Sequence, residues 1–283
     1  MPRIDLHVHS NASDGQHAPV DVVARAAAVG LDTVALTDHD TIEGCRDAVT
    51  AGCEHHVRVI VGCEFSAAAR WGEIHLLGYF LPREDVGLNE FLGNQQAMRV
   101  RRAHTIVERL RQTGAEVQVR DVLDEAMGGA VGRPHVARVL VEIGAATDVS
   151  DAFRKYLGRG RPAFVPKVLP TVTQVAELVR SLGGVVSAAH LRDRAVRPVL
   201  ADLKAQGVDA VEVLHPSHGE STVSRIARLA TAVGLLRTGG SDWHGDAAGE
   251  EDLPPLGSME VPASWLEEIE NLHRERLSAT RRA

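Results

Sequence analysis

The amino-acid sequence predicts an α/β fold in which repeated βα units build a parallel sheet, closed as a barrel. Three observations carry this expectation. Strand and helix patterns alternate in short steps over the first 80 residues and resume after residue 170, the succession expected of a parallel sheet. A chain of 283 residues can fill one large domain of barrel size. Histidines and carboxylates recur at the carboxyl ends of the strands, where parallel α/β folds place their chemistry. A closed barrel brings those of the first and last strands together, which an open sheet does not.

Arg3 to His9 reads as a strand with Ile4, Leu6 and Val8 on one face and Asp5, His7 and His9 on the other, since side chains alternate with period two. Asp14-Gly15 makes a turn. Pro19 opens a helix with an apolar stripe of Val22, Val23, Ala26 and Ala27, and Gly30 stands at its C-cap. Thr33 to Thr37 is a second strand ending in Asp38-His39-Asp40. Another helix precedes the strand Val57 to Val61, which runs into Gly62-Cys63-Glu64, and the strand Ile74 to Tyr79 carries His75. From 88 to 167 the pattern changes. Leu88–Thr113, Val119–Met127, Pro134–Ile143 and Val149–Leu157 read as successive helices, a helical insertion expected to cap the barrel mouth. The domain expectation is therefore a barrel of residues 1–87 and 168–283 interrupted by an insertion, 88–167. Beyond it, Val172–Leu182, Val196–Gln206 and Ser221–Val233 are helical. They alternate with the strands Gly184–Ala189, Ala210–Leu214 and Leu235–Thr238, which lead into His190, His215 and Gly239-Gly240-Ser241-Asp242-Trp243-His244. The last twenty residues read as a polar helix with a basic tail.

Composition narrows the function classes. With 44% hydrophobic and 24% charged residues the chain is an ordinary globular sequence. Its longest apolar runs, such as Gly183 to Ala189, are far too short to span a membrane. Nothing at the N-terminus resembles a secretory leader, so a cytoplasmic protein is expected. Three cysteines, Cys45, Cys53 and Cys63, suggest neither a disulfide framework nor a thiolate zinc site. The net charge of −7 offers no track for duplex nucleic acid, though a short single strand could enter one pocket. That charge is uneven. Residues 97–167 hold 13 Lys and Arg against 8 Asp and Glu, a local +5 that leaves −12 on the remainder. A basic cap over an acidic pocket suits an anionic substrate held by cations. Arg99, Arg101, Arg102, Arg109 and Arg111 nevertheless read as the solvated face of one long helix.

The 14 histidines are about twice the number average composition leads one to expect. On a strand, His7 and His9 project to the same side about 7 Å apart, so one divalent cation can sit between them. Asp14, His39, Glu64, His75, His190, Asp242 and His244 add seven ligand-type residues at or near strand ends. Nine such groups exceed what one tetrahedral ion uses and would serve two or three, with Glu64 as a bridging carboxylate. Imidazole and carboxylate ligands suit manganese, iron or zinc, with manganese the first choice. His17, His55, His56, His104 and His273 read as surface or helix residues, Trp243 as pocket wall, and Asp38 and Asp40 as props for the ligands.

These motifs resemble the PHP family of metal-dependent phosphoesterases. The matching residues are Asp5-Leu6-His7-Val8-His9-Ser10, Ser13-Asp14-Gly15, Leu36-Thr37-Asp38-His39-Asp40-Thr41, Gly62-Cys63-Glu64, His75, His190 and Gly240-Ser241-Asp242-Trp243-His244. Gly132-Arg133-Pro134-His135, Pro162 to Pro166 and His215-Pro216-Ser217-His218 resemble the subgroup of small PHP proteins that dephosphorylate nucleoside 3′,5′-bisphosphates and AMP-like nucleotides or degrade short RNA from 5′ to 3′. The resemblance implies a distorted seven-stranded barrel with a helical insertion. It implies one metal on His7, His9, Glu64 and Asp242, a second on Glu64, His75 and His190, and a third on Asp14, His39 and His244. A metal-activated hydroxide would attack phosphorus while the ions offset charge on its oxygens, giving Glu64 and Asp242 catalytic weight. Arg133 and Lys167 would bind phosphate, Lys167 standing where the subgroup favours Arg. His135, His215, Ser217 and His218 would contact substrate, and His218 would protonate the leaving oxygen. Leu191 stands where the family often has Pro. Histidinol-phosphate phosphatase chemistry is the nearest alternative, followed by amidohydrolysis of a C–N bond and a non-catalytic accessory role.

Overall fold

A computed structural model describes residues 2–246 and 254–280. Seven strands form one sheet in chain order: β1 (Ile4–Val8), β2 (Thr33–Leu36), β3 (Arg58–Ala69), β4 (Gly72–Tyr79), β5 (Val185–Ala188), β6 (Ala210–Leu214) and β7 (Leu236–Gly239). The helices α1 (Pro19–Ala28), α2 (Cys45–His55), α7 (Val172–Ser181), α8 (Arg197–Ala205) and α9 (Glu220–Val233) alternate with these strands. Between β4 and α7 come α3 (Val86–Gln112), α4 (Val119–Glu125), α5 (Arg133–Glu142) and α6 (Val149–Ala152), the last continued by a π-turn over Phe153–Leu157. The final helix is α10 (Ala263–Thr280). It is amphipathic rather than merely polar, because Trp265, Leu266 and Ile269 are buried in the core. The expected basic tail, Arg281 and Arg282, lies outside the described residues.

The sheet is mostly parallel, and β4 corrects the expectation of an all-parallel one. It runs antiparallel to both β3 and β5. The cause is β3, which at 12 residues is more than twice as long as the Val57–Val61 pattern suggests. Residues 58–61 pair in parallel with β2, whereas Gly62 to Ala69 pair with β4 across a hairpin turn at Arg70-Trp71. Glu64 therefore sits in mid-strand.

The two ends of the sheet approach each other without forming a ladder. Val8 makes one parallel bridge to Trp243, and the His9 amide donates to the Trp243 carbonyl at 2.9 Å. Gly240 permits this approach: a Cβ there would lie 2.4 Å from the His7 Cβ.

Two hydrophobic clusters divide the packing. The first joins the sheet to its flanking helices and includes Leu88 and Leu92 at the start of α3. The second lies wholly within residues 103–163, from Ala103, Ile106, Val107 and Leu110 of α3 to Ala163. Helix α3 spans both, and the Asp85 carboxylate caps it by accepting from the Leu88 amide at 2.8 Å. Its arginines are not one solvated face. Arg99 is buried on Asp40, Arg102 donates to the Val165 carbonyl and Arg109 to that of Phe164. Among the described residues no helix is long and apolar enough to cross a membrane.

Candidate metal centre

All nine histidines and carboxylates singled out in the sequence converge on one point, and Glu64 is at its centre. Its Oε2 lies 3.3 Å from His7 Nε2, 3.2 Å from His9 Nε2 and 3.1 Å from His39 Nδ1. Its Oε1 lies 2.8 Å from His75 Nδ1 and 2.9 Å from His190 Nε2. Five imidazoles, two on strands and three just beyond strand ends, thus face one buried carboxylate. Asp242 Oδ1 meets His7 and His9 at 3.1 and 3.2 Å. Asp14 lies 3.4 Å from His244 Nε2 and 3.7 Å from His39 Nε2. The backbone is held in the left-handed region at Asp242 (φ 51°), His190 (φ 29°) and Asp40 (φ 50°), a strain that concentrates at functional sites.

Ligand atoms gather in three groups: His7, His9, Glu64 and Asp242; His9, Asp14, His39 and His244; and His39, Glu64 and His75. The third differs from the expected set, since it contains His39 and not His190, whose Nε2 lies 2.9 Å from Glu64 Oε1. The donor set fits divalent cations on an observation independent of resemblance. His7 Nε2, both ring nitrogens of His9, Asp14 Oδ1, His39 Nδ1 and His75 Nδ1 are buried without a hydrogen-bond partner. Buried polar atoms are costly to leave unpaired, and cations held in these groups would satisfy them.

Without cations, protons neutralise part of this charge. Burial alone would lower the pKa of His9, but Asp242 and Glu64 raise it to about 10. His75 is held at about 9, against burial, by Glu64 and Glu73. Burial takes His39 down to about 3. Metal ligation needs neutral imidazole, so loading the centre at neutral pH expels protons and affinity rises with pH. Titration calorimetry in buffers of contrasting ionisation enthalpy is expected to show net proton release; a heat independent of buffer would refute this.

Around the ligands lies a set of props, one of which the sequence reading missed. Glu212, in the middle of β6 and fully buried, accepts from His7 Nδ1 at 3.0 Å and from the His190 amide at 2.7 Å. It thereby fixes the His7 tautomer with Nε2 turned to Glu64 and Asp242. His215 Nε2 donates to Asp242 Oδ2 at 3.2 Å, while its Nδ1 is held by Ser217. Asp38 acts on the centre through backbone and loop: its carbonyl accepts from the Glu64 amide at 3.1 Å, and its carboxylate turns to two serines. It accepts from Ser10 and Ser13, fixing the loop that carries Asp14. Asp40 binds the Ser66 amide and Arg99.

The expected substrate contacts are more scattered. His218 is a neutral ring: burial lowers its pKa, Nδ1 donates to the Val213 carbonyl, and Nε2 accepts from the Arg192 amide. With its basic nitrogen taken it has no proton for a leaving group, which corrects the expected role as general acid. His135 is buried, its Nδ1 accepting from the Gly132 amide at 2.9 Å. Arg133 lies over the Phe153 and Phe164 rings. The Lys167 ammonium bridges Ser66 and Glu73. Trp243 is core rather than pocket wall, 2% exposed and stacked on His17. A hollow of about 90 Å³ bordered by Trp71, Glu73, Arg194, His75 and His190 opens beside the centre.

A family model for the PHP domain matches residues 5–128. A 5′-3′ exoribonuclease of Haemophilus influenzae is 32% identical over 275 residues, covering 95% of this chain and 94% of the relative. The chain belongs to the PHP family. Another PHP relative, the 3′,5′-nucleoside bisphosphate phosphatase of Chromobacterium violaceum, is 31% identical over 277 residues, covering 90% of this chain and 94% of that protein. Among solved structures, a Bifidobacterium adolescentis protein assigned as a metal-dependent phosphoesterase matches this PHP chain with a TM-score of 0.87 at 31% identity, covering 95% and 96% of the two chains.

Glu212→Gln is expected to weaken metal binding to this PHP centre by about 10- to 100-fold, the usual cost of losing a carboxylate behind a ligand imidazole. Competition with a chromophoric chelator measures it, and unchanged affinity would exclude the role.

Proposed function

We propose that this PHP protein is a metal-dependent phosphoesterase that hydrolyses phosphate monoesters of nucleotides, such as nucleoside 3′,5′-bisphosphates, or removes nucleotides from short single-stranded RNA in the 5′ to 3′ direction. The observation that carries the reading is the convergence of eight imidazoles and carboxylates around a ninth group, Glu64, in a chain that matches proteins named for these two activities along nearly its whole length.

His7, His9, Glu64 and Asp242 would hold one cation, His9, Asp14, His39 and His244 another, and Glu64 with His39, His75 and His190 a third. Manganese is the proposed metal, with iron or zinc as substitutes, since imidazole and carboxylate accept all three. When bound, such ions polarise the phosphoryl oxygens and lower the pKa of water. The chain's own residues supply position. Glu212 and His215 hold His7 and Asp242 in the orientation that ligation needs, and Asp38 holds the Asp14 loop. Arg133 and Lys167 are proposed to meet substrate phosphate, and Ser217, exposed on the loop after β6, to approach from the other side. The single bridge between β1 and the segment after β7, together with the separate core of residues 103–163, supports the finer description. In that description a distorted barrel of 1–87 and 168–283 is capped by an 88–167 insertion. A cytoplasmic setting, where Cys45, Cys53 and Cys63 stay free, belongs to the same reading.

The test is a substrate panel with manganese: adenosine 3′,5′-bisphosphate, a 5′-phosphorylated tetranucleotide RNA and histidinol phosphate, with products separated by chromatography. Turnover of the first two in preference to the third is expected. Preference for histidinol phosphate, or hydrolysis of amides alone, would overturn the reading.

A further inference from the structure

Between α3 and residues 165–169 lies a cavity of about 280 Å³ that the metal centre does not use. Met98, Val165, Pro166 and Leu169 give it apolar walls, while Arg102 and Lys167 supply cations. It is close to the chemistry. Lys167 rests on Glu73, which in turn contacts His75 Nε2 at 3.2 Å, and Asp40, another wall residue, follows His39 in sequence.

The charges in the cavity do not balance. Arg99 is neutralised by Asp40, and Lys167 by Glu73. Arg102 is half-buried, and its Nε donates to the Val165 carbonyl at 2.8 Å. Among the described residues no carboxylate forms an ion pair with it, nor with Arg101 or Arg133. Burial, then the like charge of Arg133, lowers the Arg102 pKa to about 10. A half-buried guanidinium beside a second cation is costly unless an anion completes it, and its fork geometry suits phosphate. The apolar walls add what phosphate alone does not need, a surface for a flat base or ribose.

Building on the phosphoesterase reading above, we propose that this cavity is a second nucleotide subsite. It takes the nucleotide adjoining the scissile phosphate of a short single strand, with that nucleotide's phosphate on Arg102 and its base or sugar against Met98, Val165 and Pro166. Single-stranded ligands are commonly held in this way, by cations along the backbone and apolar contact with the bases.

The test measures affinities of the manganese-loaded full chain for AMP and for a fluorescein-labelled, phosphorothioate-linked tetranucleotide, which resists cleavage. The variants are Arg102→Gln, which keeps a donor for the Val165 carbonyl, and Met98→Trp, which fills the cavity without touching charge. Both are expected to lower the ratio of tetranucleotide to AMP affinity by roughly tenfold, the scale of a lost charge-assisted contact. An unchanged ratio in both variants would overturn the subsite, as would a wild-type protein that binds the tetranucleotide no better than AMP. Failure of the phosphoesterase reading shows separately, as absence of turnover in the substrate panel, while the binding ratio still reports on the cavity.

Discussion

Glu64→Gln is expected to lower turnover by at least about a thousandfold and to strip metal from the purified protein. That scale exceeds what removal of a single electrostatic donor costs in other active sites, because this carboxylate serves more than one cation group. The amide keeps the size and one acceptor but loses the charge that faces His7, His9, His39, His75 and His190. Metal content by inductively coupled plasma spectrometry checks the cause: the variant should retain less metal per chain than wild type, and its activity should not return with excess manganese. Stability of the metal-free protein gives a second readout. Burial disfavours the Glu64 carboxylate, but His39, His75 and His7 hold its pKa well below the usual range. A carboxylate lowered in this way stabilises the fold above its unfolded pKa and loses that contribution as pH falls through the folded one. At neutral pH, metal-free wild type should therefore melt above metal-free Glu64→Gln. Equal melting points with normal metal content would remove Glu64 from the centre of the site.

The candidate ligands are legible in the sequence because metal chemistry restricts such groups to few residue types and the alternating fold restricts them to few places. His7 and His9 follow from strand periodicity, and His39, His190, Asp242 and His244 from strand ends. Glu64 lies elsewhere in its strand than the sequence pattern suggests. It was expected beyond a strand that ended at Val61, whereas β3 continues to Ala69 by exchanging a parallel neighbour for an antiparallel one. A change of partner leaves no mark in local periodicity, so β4 was likewise read without its direction. Glu212 carries a visible sequence signal, a single carboxylate within the buried run Ala210-Val211-Glu212-Val213-Leu214. Its polar interruption of a core strand needs a partner, and that partner is His7. His218 shows the opposite limit. Its position after a strand gave no hint that a backbone amide occupies its second nitrogen. Arg99 was hidden by its company, since four other arginines on the same helix made a solvated face the natural reading.

Arg99→Leu is therefore expected to be the most destabilising single change in α3, by about 3–5 kcal/mol, the cost of leaving one member of a buried ion pair alone. Arg99 is 8% exposed and Asp40 2%. The guanidinium reaches Asp40 Oδ2 through Nε at 2.9 Å and Nη2 at 2.6 Å, and also touches the Val131 carbonyl and the Ser66 hydroxyl. Leucine covers the aliphatic stem but strands a carboxylate that burial disfavours and that Arg99 and Lys167 keep ionised. At the entropy of unfolding typical for this size, the loss corresponds to a fall in Tm of roughly 10 °C. Asp40→Asn combined with Arg99→Leu should recover much of it, because the neutral amide can keep the Ser66 amide as donor without an unpaired charge. If the double variant is no more stable than Arg99→Leu, packing of the arginine stem rather than the ion pair holds α3 to the loop after β2. The pair also ties the loop after β2, which carries the candidate ligand His39, to α3 just before Ala103, where the second core begins. Metal affinity should accordingly fall in Arg99→Leu and return in the double variant. Full affinity in the single variant would show that the helical segment and the metal centre are independent.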